Sequence, residues 1–206
     1  MTSPKRMRKP MSESIRLFDG ETLNGWGITG NPESWEVDEG CIHCKALKGK
    51  YLYTERNDFR DFELSLSFKH DPGANSGVFI RWTDLENPVQ TGIEIQILDT
   101  FGKEPATVKC SGALYDCQAP IRNTCKPAGE WNTMTLKADG PNITVTVNGE
   151  LTMEADLGQW TEAGKNPDGS PNKFKRPFRE MMEPGHIGLQ DHGGNIWFKD
   201  LNLVLA

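Results

Sequence analysis

The residues best suited to chemistry lie in one run of alternating side chains, from Gly92 to Asp99. Three isoleucines alternate with Glu94 and Gln96, so an extended strand would have one aliphatic face and one face with a carboxylate and an amide. If a β-bulge near its end adds one residue, Asp99 rejoins the face of Glu94 and Gln96. These side chains could then act as acid and base on one surface. The alternative is an ordinary solvated strand face that ends in a turn at Asp99.

Strand alternation predicts further polar residues beside Glu94, with Arg81 and Gln190 on the same sheet face and Asp191 and His192 at its rim. This set combines an acid, a base and a cation. The alternative is that Arg81 and Glu94 form only a cross-strand ion pair, which contributes little to stability. His192 lies in a glycine-bounded loop, where a core histidine would be out of place, and this favours a functional role.

The spacing Glu94-x-Gln96-x-x-Asp99 resembles the E-x-D-x-x-E signature of jelly-roll glucanases, which carry a nucleophile and a general acid on one bulged strand. Here an amide replaces the middle carboxylate, and the third side chain is shorter. A retaining glycosidase needs two carboxyl groups about 5 Å apart, one of them with a raised pKa. The two departures therefore argue against the standard retaining mechanism.

Two short motifs have the spacing of metal sites. Cys41 and Cys44 form a CxxC motif, but strand alternation points them to opposite faces and no second CxxC follows. Residues 166–172 resemble an oxygen-rich calcium loop, although Pro, Asp and Gly clusters are first of all turns. No metal ligand set is assigned. The five cysteines are expected to be free thiols; if the protein is exported, one pair among Cys110, Cys117 and Cys125 could form a disulfide.

Composition favours an all-β protein, because 21 glycines and 13 prolines spread along 206 residues are typical of short strands joined by turns. We expect one antiparallel two-sheet jelly-roll sandwich over residues 15–206, after a disordered basic tail over residues 1–14. The net charge is −6, and the chain beyond that tail is more acidic still. Nucleic acid and anionic membrane are therefore not expected as partners.

The first residues lack the apolar core of a secretory signal, and no apolar run is long enough to span a bilayer. A cytoplasmic protein is the default expectation, with export to the periplasm or the extracellular space as the alternative. Composition leaves the oligomeric state open.

Alternation and turn residues predict the strands that must position the polar side chains. They are an edge strand near 17–26, a hairpin over 35–42, strands over 51–54, 61–69, 78–83 and 91–98, a meander over 131–155, and a closing strand over 196–205. Two irregular insertions, 101–130 and 157–184, interrupt this pattern. Connections of that length inside a compact domain are more often functional than idle.

Six motifs occur in order along the chain: Leu17–Trp26, Asn75–Arg81, Glu94–Asp99, Gly112–Tyr115, Lys126–Asn132 and Gly188–Gly194. Together they resemble the 3-keto-disaccharide hydrolase family over nearly the whole chain from Leu17. The resemblance implies a concanavalin-like lectin/glucanase sandwich whose concave sheet face binds sugar. It also implies a hydrolase that cleaves glycosides whose glucose unit is oxidised at C3.

A ketone at C3 acidifies the C2 hydrogen, so that a base can remove it, the C1 substituent can leave, and water can add to the resulting enone. Such an enzyme needs a base, a donor or cation for the enolate oxygen, and an acid for the leaving group. Glu94 or His192 is the expected base, Arg81 with Gln96 the enolate partner, and Asp99 or Tyr115 the leaving-group residue. A divalent metal on Glu94, Asp99 or His192 could replace the cation.

The resemblance also implies which residues bind the carbohydrate substrate: Gln96, Tyr115, Lys126, Gln190, Asp191 and Trp82. One alternative function is a non-catalytic carbohydrate-binding module, in which Trp82, Tyr115 and Trp160 supply stacking surfaces. A conventional jelly-roll glycosidase is the other alternative, supported only by the Glu94 to Asp99 spacing.

Overall fold

The structure, a computed structural model, describes residues 13–206 of the chain. Most of the predicted tail, residues 1–12, lies outside the described residues. Ser14, which was expected to belong to that tail, is the first residue of a strand.

The described chain forms thirteen strands and one short helix, together with three turns of 3-10 helix. The strands are β1 (Ser14–Arg16), β2 (Trp26–Ile28), β3 (Trp35–Asp38), β4 (Cys41–Cys44), β5 (Tyr51–Thr54), β6 (Phe62–His70), β7 (Asn75–Trp82), β8 (Ile93–Leu98), β9 (Asn132–Asp139), β10 (Asn142–Val147), β11 (Glu150–Asp156), β12 (His186–Gln190) and β13 (Ile196–Leu205). The helix α1 spans Pro88–Thr91.

The strands pair into two antiparallel sheets, which confirms the predicted all-β sandwich. The larger sheet has eight strands in the order β11-β10-β9-β6-β13-β4-β3, with β1 also paired to β13. The smaller sheet has five strands in the order β2-β5-β12-β7-β8. The smaller sheet contains most of the polar residues singled out in the sequence.

The core lies between the sheets and follows directly from period-two alternation. Phe62, Leu64, Leu66 and Phe68 of β6 belong to the same buried cluster as the three isoleucines of β8. Because successive strand residues point to opposite faces, burial of the isoleucines turns the alternating polar residues of β8 to the outer face of the smaller sheet.

The predicted meander of β9, β10 and β11 is confirmed, and its turn chemistry explains it. Val147 pairs with Glu150, so only Asn148 and Gly149 form the loop between β10 and β11. Their φ angles are 53° and 79°, as a tight hairpin turn of this hand requires, and Asn and Gly are the residues that adopt such angles most readily.

Strand β8 ends the smaller sheet, and part of the first irregular insertion covers its free edge. The Gln96 amide donates to the Ala113 carbonyl (3.0 Å), and the Tyr115 amide donates to the Glu94 carbonyl (3.1 Å). β8 is thus the last named strand of its sheet, and residues 112–115 pair beside it. This pairing brings Tyr115 next to Glu94.

Within residues 13–206, no helix has the length and apolar character needed to cross a membrane. The five cysteines, all buried, are free thiols.

Candidate active site

A cavity of about 430 Å³ lies on the outer face of the smaller sheet. The strand register determines which residues form the floor of this cavity. Tyr51 pairs with Gln190 across β5 and β12, and Gly77 pairs with Gln96 across β7 and β8. Gly77 carries no side chain and so leaves space on the floor. Six of the residues predicted from the sequence line this site cavity: Glu94, Gln96, Tyr115, Gln190, Asp191 and His192.

Glu94 is the carboxylic acid of the cavity whose pKa departs clearly from its ordinary value. Only 6% of it is exposed, and this burial raises the pKa of its carboxyl group from 4.5 to about 7, against the opposing charge of Lys173. Burial acts in this direction because a low-dielectric surrounding disfavours the charged carboxylate. At neutral pH Glu94 can therefore both take up and release a proton.

A hydrogen-bonded chain leads from the sheet floor to His192 at the rim. Gln96 Nε2 donates to Asn75 Oδ1 (2.8 Å), and Asn75 Nδ2 lies 2.7 Å from His192 Nδ1. Since the Asn75 oxygen already accepts from Gln96, its amide nitrogen is the donor to His192. Neutral His192 then carries its proton on Nε2. The exposed ring nitrogen of His192 is thus a hydrogen-bond donor.

Two tyrosines bring hydroxyl groups to the cavity. Gln190 Nε2 donates to Tyr51 Oη over 3.3 Å, which leaves the Tyr51 O–H free to donate. Burial raises the pKa of both Tyr51 and Tyr115, and the Glu94 charge adds to the shift in each case. Both hydroxyl groups therefore stay protonated at neutral pH and act as donors.

Lys173 is, together with Lys50, one of two lysines that line the cavity. Its Nζ lies 3.9 Å from the centre of the Tyr115 ring, a cation–π arrangement that holds the ammonium group at the mouth of the cavity. Lys173 also lowers the pKa of Glu94 through its charge, so the two side chains act on each other.

Two buried acceptors in the lining lack donors from the protein. The Oε1 atoms of Gln96 and Gln190 have no hydrogen-bond partner, although both residues line the cavity. A buried carbonyl oxygen without a partner costs free energy. Such acceptors suit the hydroxyl groups of a ligand.

Asp191 lines the cavity but also holds a neighbouring loop in place. One of its carboxylate oxygens accepts a 2.7 Å hydrogen bond from the Gly49 amide, and its own amide donates to the Lys50 carbonyl. Asp191 therefore fixes the loop before β5, which positions Lys50 and Tyr51.

The prediction that Arg81 lies beside Glu94 is wrong. The pairing of β12 with β7 shifts register here, with two residues, Ile80 and Arg81, opposite Ile187. Arg81 has a φ of 50°, its side chain is fully buried, and it forms an ion pair with Asp61 and a hydrogen bond to the Gly140 carbonyl. The bulge breaks the alternation on which the prediction rested.

The prediction that Asp99 joins Glu94 and Gln96 is also wrong. It required a β-bulge near Leu98, but β8 pairs with β7 without a register shift from Ile93 to Leu98. Asp99 instead accepts a 2.9 Å hydrogen bond from the Gly73 amide, and it does not line the cavity. Its role is to hold the turn before β7.

Three residues expected to bind sugar lie elsewhere. The Lys126 ammonium group donates to the Trp131 carbonyl, away from the cavity lining. Trp82 is 0% exposed and Trp160 is 5% exposed, so neither ring offers a free stacking surface. Trp82 instead packs beneath Tyr51 and Tyr53, at ring-centre distances of 5.1 and 5.9 Å.

Sequence reasoning missed five lining residues: Lys50, Tyr51, Asn75, Val89 and Lys173. The alternation of β5 could have placed Tyr51 on the outer face, since the intervening Leu52 is buried in the core. Lys173 lies in an insertion without periodicity, so no pattern marks it.

Within residues 13–206, no group of three or more His, Cys, Asp and Glu side chains is arranged to hold a metal ion. Asp99 does not join Glu94 and His192, so the three proposed metal ligands are not brought together. In the segment that resembles a calcium loop, Asp168 accepts a 2.6 Å hydrogen bond from Ser170, and Asn166 accepts one from the Trp160 indole. That segment is a hydrogen-bonded turn.

Comparison with known proteins places this chain in a family. Residues 13–204 match the model of the 3-keto-alpha-glucoside-1,2-lyase-like domain. A 3-keto-disaccharide hydrolase from Bacteroides thetaiotaomicron is 26% identical, over 92% of this chain and 77% of that protein.

Solved structures agree with that match. A protein from Parabacteroides distasonis, provisionally named a glycosyl hydrolase, has a TM-score of 0.82 and 34% identity, over 93% of this chain and 98% of its own. A β-glucanase from Bacillus licheniformis has a TM-score of 0.52 at 11% identity, over 94% of this chain and 96% of its own. The second likeness shows only the fold, a glucanase-type sandwich.

Proposed function

This chain belongs to the 3-keto-alpha-glucoside-1,2-lyase-like family, and from that premise we propose that it is an enzyme that cleaves the glycosidic bond of 3-keto-glycosides in the site cavity. The curated relative that it resembles is named for 3-keto-disaccharides. A sugar oxidised at C3 is the substrate class, and elimination followed by hydration is the reaction.

Elimination needs no carboxylate nucleophile, because the ketone acidifies the C2 hydrogen and one base can remove it. The base removes the C2 proton, the C2–H electron pair becomes the C1–C2 double bond, and the C1–oxygen bond breaks. Its electron pair goes to the leaving oxygen, which takes up a proton. Water then adds its hydroxyl to C1 and a proton to C2, which gives the free 3-keto-sugar.

The observation that carries this proposal is the buried Glu94 carboxyl group in the cavity lining. We assign Glu94 as the base. A general base works best when its pKa lies near the working pH, and burial sets the pKa of Glu94 at about 7. His192, the other residue expected as base, accepts from Asn75 at Nδ1 and presents a donor instead. We propose that the Nε2–H group of His192 donates to a carbonyl or hydroxyl oxygen of the sugar.

We assign Lys173, instead of Arg81, as the cation that stabilises the enolate oxygen. A cation in a partly dry cavity stabilises negative charge that develops on the enolate oxygen, and Lys173 is close enough to Glu94 to lower its pKa. Tyr115, under the Lys173 ammonium group, is a second donor for that oxygen. The free O–H of Tyr51 replaces Asp99 as the proton donor to the leaving oxygen.

Gln96 and Gln190 recognise hydroxyl groups of the sugar. Their Oε1 atoms lack donors, and hydroxyl groups of the substrate would supply them. An ordinary glycosidase is a poorer explanation, because Asp99 is absent from the cavity lining. The other carboxylate of the lining, Asp191, accepts a hydrogen bond from the Gly49 amide and holds a loop.

Incubation with the ordinary and the 3-keto form of one disaccharide tests the proposal. We expect cleavage of the 3-keto form only. Cleavage of the ordinary form would support a conventional glycosidase, while binding without cleavage of either would support a carbohydrate-binding module. His192→Ala should lower the turnover of the 3-keto form with sugar binding largely kept; unchanged turnover would remove His192 from the reaction.

A further inference from the structure

A second cavity lies beside the site cavity on the smaller sheet. Its volume is about 460 Å³, within the range of about 300–1,000 Å³ typical of small-molecule sites. The residues of its lining that bear on ligand binding are Thr29, Lys50, Tyr51, Tyr53, Glu86 and Pro88. The proposed base, Glu94, does not line it.

We infer that this second cavity binds the leaving group of the substrate, which in a 3-keto-disaccharide is the second sugar ring. The inference rests on the proposed function, since it takes the oxidised ring to lie beside Glu94 in the site cavity. Thr29 and Glu86 are then the residues that distinguish a disaccharide from a glycoside with a small leaving group.

Continuity between the cavities is the first support. Lys50 and Tyr51 line both of them, so a ligand that passes these two residues occupies both spaces. Tyr51 is also the proposed proton donor to the leaving oxygen. The bond to be broken would thus lie at Tyr51, with one ring on each side of it.

Tyr53 provides an aromatic surface in the second cavity. It is two residues after Tyr51 on β5, so both rings point to the same face. The Tyr53 ring lies edge-on to Trp82 and His186, at ring-centre distances of 5.9 and 5.3 Å. A Cβ on Gly27 would collide with it, so the missing side chain at Gly27 lets the ring lie across β2.

Polar groups in the second cavity match the hydroxyl groups of a sugar. Thr29 Oγ1 is buried and has no hydrogen-bond partner, so a ligand hydroxyl would satisfy it. The exposed Glu86 carboxylate would accept from hydroxyl groups, and the Lys50 ammonium group of the same lining would donate to them. Aromatic carbon and scattered hydrogen-bonding groups together suit a pyranose, which has apolar C–H faces and a polar edge.

Kinetics on two substrates test the inference. A 3-keto-disaccharide fills both cavities, whereas methyl 3-keto-glucoside fills only the site cavity. Thr29→Val and Glu86→Gln should each lower kcat/KM for the disaccharide by about three- to tenfold, the effect of one lost hydrogen bond, and leave that for the methyl glucoside unchanged. Thr133→Val, at an exposed threonine of the larger sheet, should change neither.

Each other outcome counts against the inference. Equal losses on both substrates, or no loss on the disaccharide in either variant, would overturn the second cavity as the leaving-group site while the proposed function stands. Failure of the unaltered enzyme to cleave either 3-keto substrate would overturn the proposed function, and the inference with it.

Discussion

The Oε1 atom of Glu94 lies 2.7 Å from the point at which a Cβ on Gly77 would stand. The two residues are on neighbouring strands, and the absence of a side chain at Gly77 is what gives the Glu94 carboxyl group its place on the floor of the cavity. The position of the base therefore depends on a glycine one strand away.

Gly77→Ala should displace the Glu94 carboxyl group while the sheet remains folded. We expect kcat/KM for a 3-keto-disaccharide to fall about a hundredfold, since a misplacement of about 1 Å at a reacting group costs roughly that much. Gly158→Ala is the matched control, because its Cβ would also meet a carboxylate oxygen, that of Asp156 at 3.0 Å, but far from the cavity. Wild-type kinetics in Gly77→Ala would show that the position of Glu94 is unimportant.

The pH dependence of kcat/KM should report the ionisation of Glu94. A base must be deprotonated to act, so activity should rise with pH through about 7 and be lost below that value. Because the Lys173 charge lowers the pKa of Glu94, Lys173→Met should move this rise to higher pH.

Lys175→Met is the control for this experiment, since Lys175 is exposed and does not line the cavity. Its pH profile should match that of the unaltered enzyme. If Lys173→Met and Lys175→Met have the same midpoint, the charge of Lys173 does not act on the base.

Glu94→Gln should stabilise the protein at high pH. The carboxyl group has a pKa of about 7 in the fold against an ordinary value of 4.5, so between these pH values the folded state binds more protons than the unfolded state. Stability conferred by the protonated group is therefore lost as pH rises through about 7. Relative to wild type, the free energy of unfolding of Glu94→Gln should gain on the order of 3 kcal/mol between pH 4 and pH 8.

Urea unfolding at both pH values measures this gain, with Glu130→Gln, at an exposed loop glutamate, as the control. A gain that does not depend on pH would mean that the burial of Glu94 does not disfavour its ionised form.

Arg81→Met should lower the stability of the protein without changing catalysis. The Arg81 side chain is buried against Asp61 and the Gly140 carbonyl. Its loss leaves that carbonyl without this donor, while Asp61 keeps Arg60 and the Gly140 amide, and should cost about 2 kcal/mol in unfolding free energy. The kcat/KM of the folded protein should not change. Arg179→Met, at an exposed arginine, should change neither quantity. Lost turnover with unchanged stability would return Arg81 to the catalytic site.

Composition and the family resemblance predicted the sandwich, and period-two alternation predicted its strands and part of the site. It worked where strands are regular, as in β6 and β8, because burial of one face settles the direction of every side chain. It placed Glu94, Gln96 and Gln190 correctly for that reason.

The same rule failed where the backbone departs from regular pairing. Arg81 lies in a bulge that local sequence does not reveal, and the prediction for Asp99 required a bulge that does not form. Lys173 reaches the cavity from an insertion without periodicity, so only tertiary packing brings it to Tyr115. The sequence therefore predicted the wrong positions for Arg81 and Asp99, whereas Glu94, His192 and Tyr115 line the cavity as expected.

Single-turnover kinetics give the most direct test of whether Glu94 removes the C2 proton. The substrate is a freshly prepared 3-keto-disaccharide with either hydrogen or deuterium at C2. Its cleavage is measured with the wild-type protein, Glu94→Gln and the control Glu130→Gln. We predict that deuterium slows wild-type cleavage, because the C2–H bond breaks in the reaction, and that Glu94→Gln lowers the rate by about 10²- to 10⁴-fold while Glu130→Gln does not. Equal rates for the two isotopic forms, together with full activity of Glu94→Gln, would contradict this account.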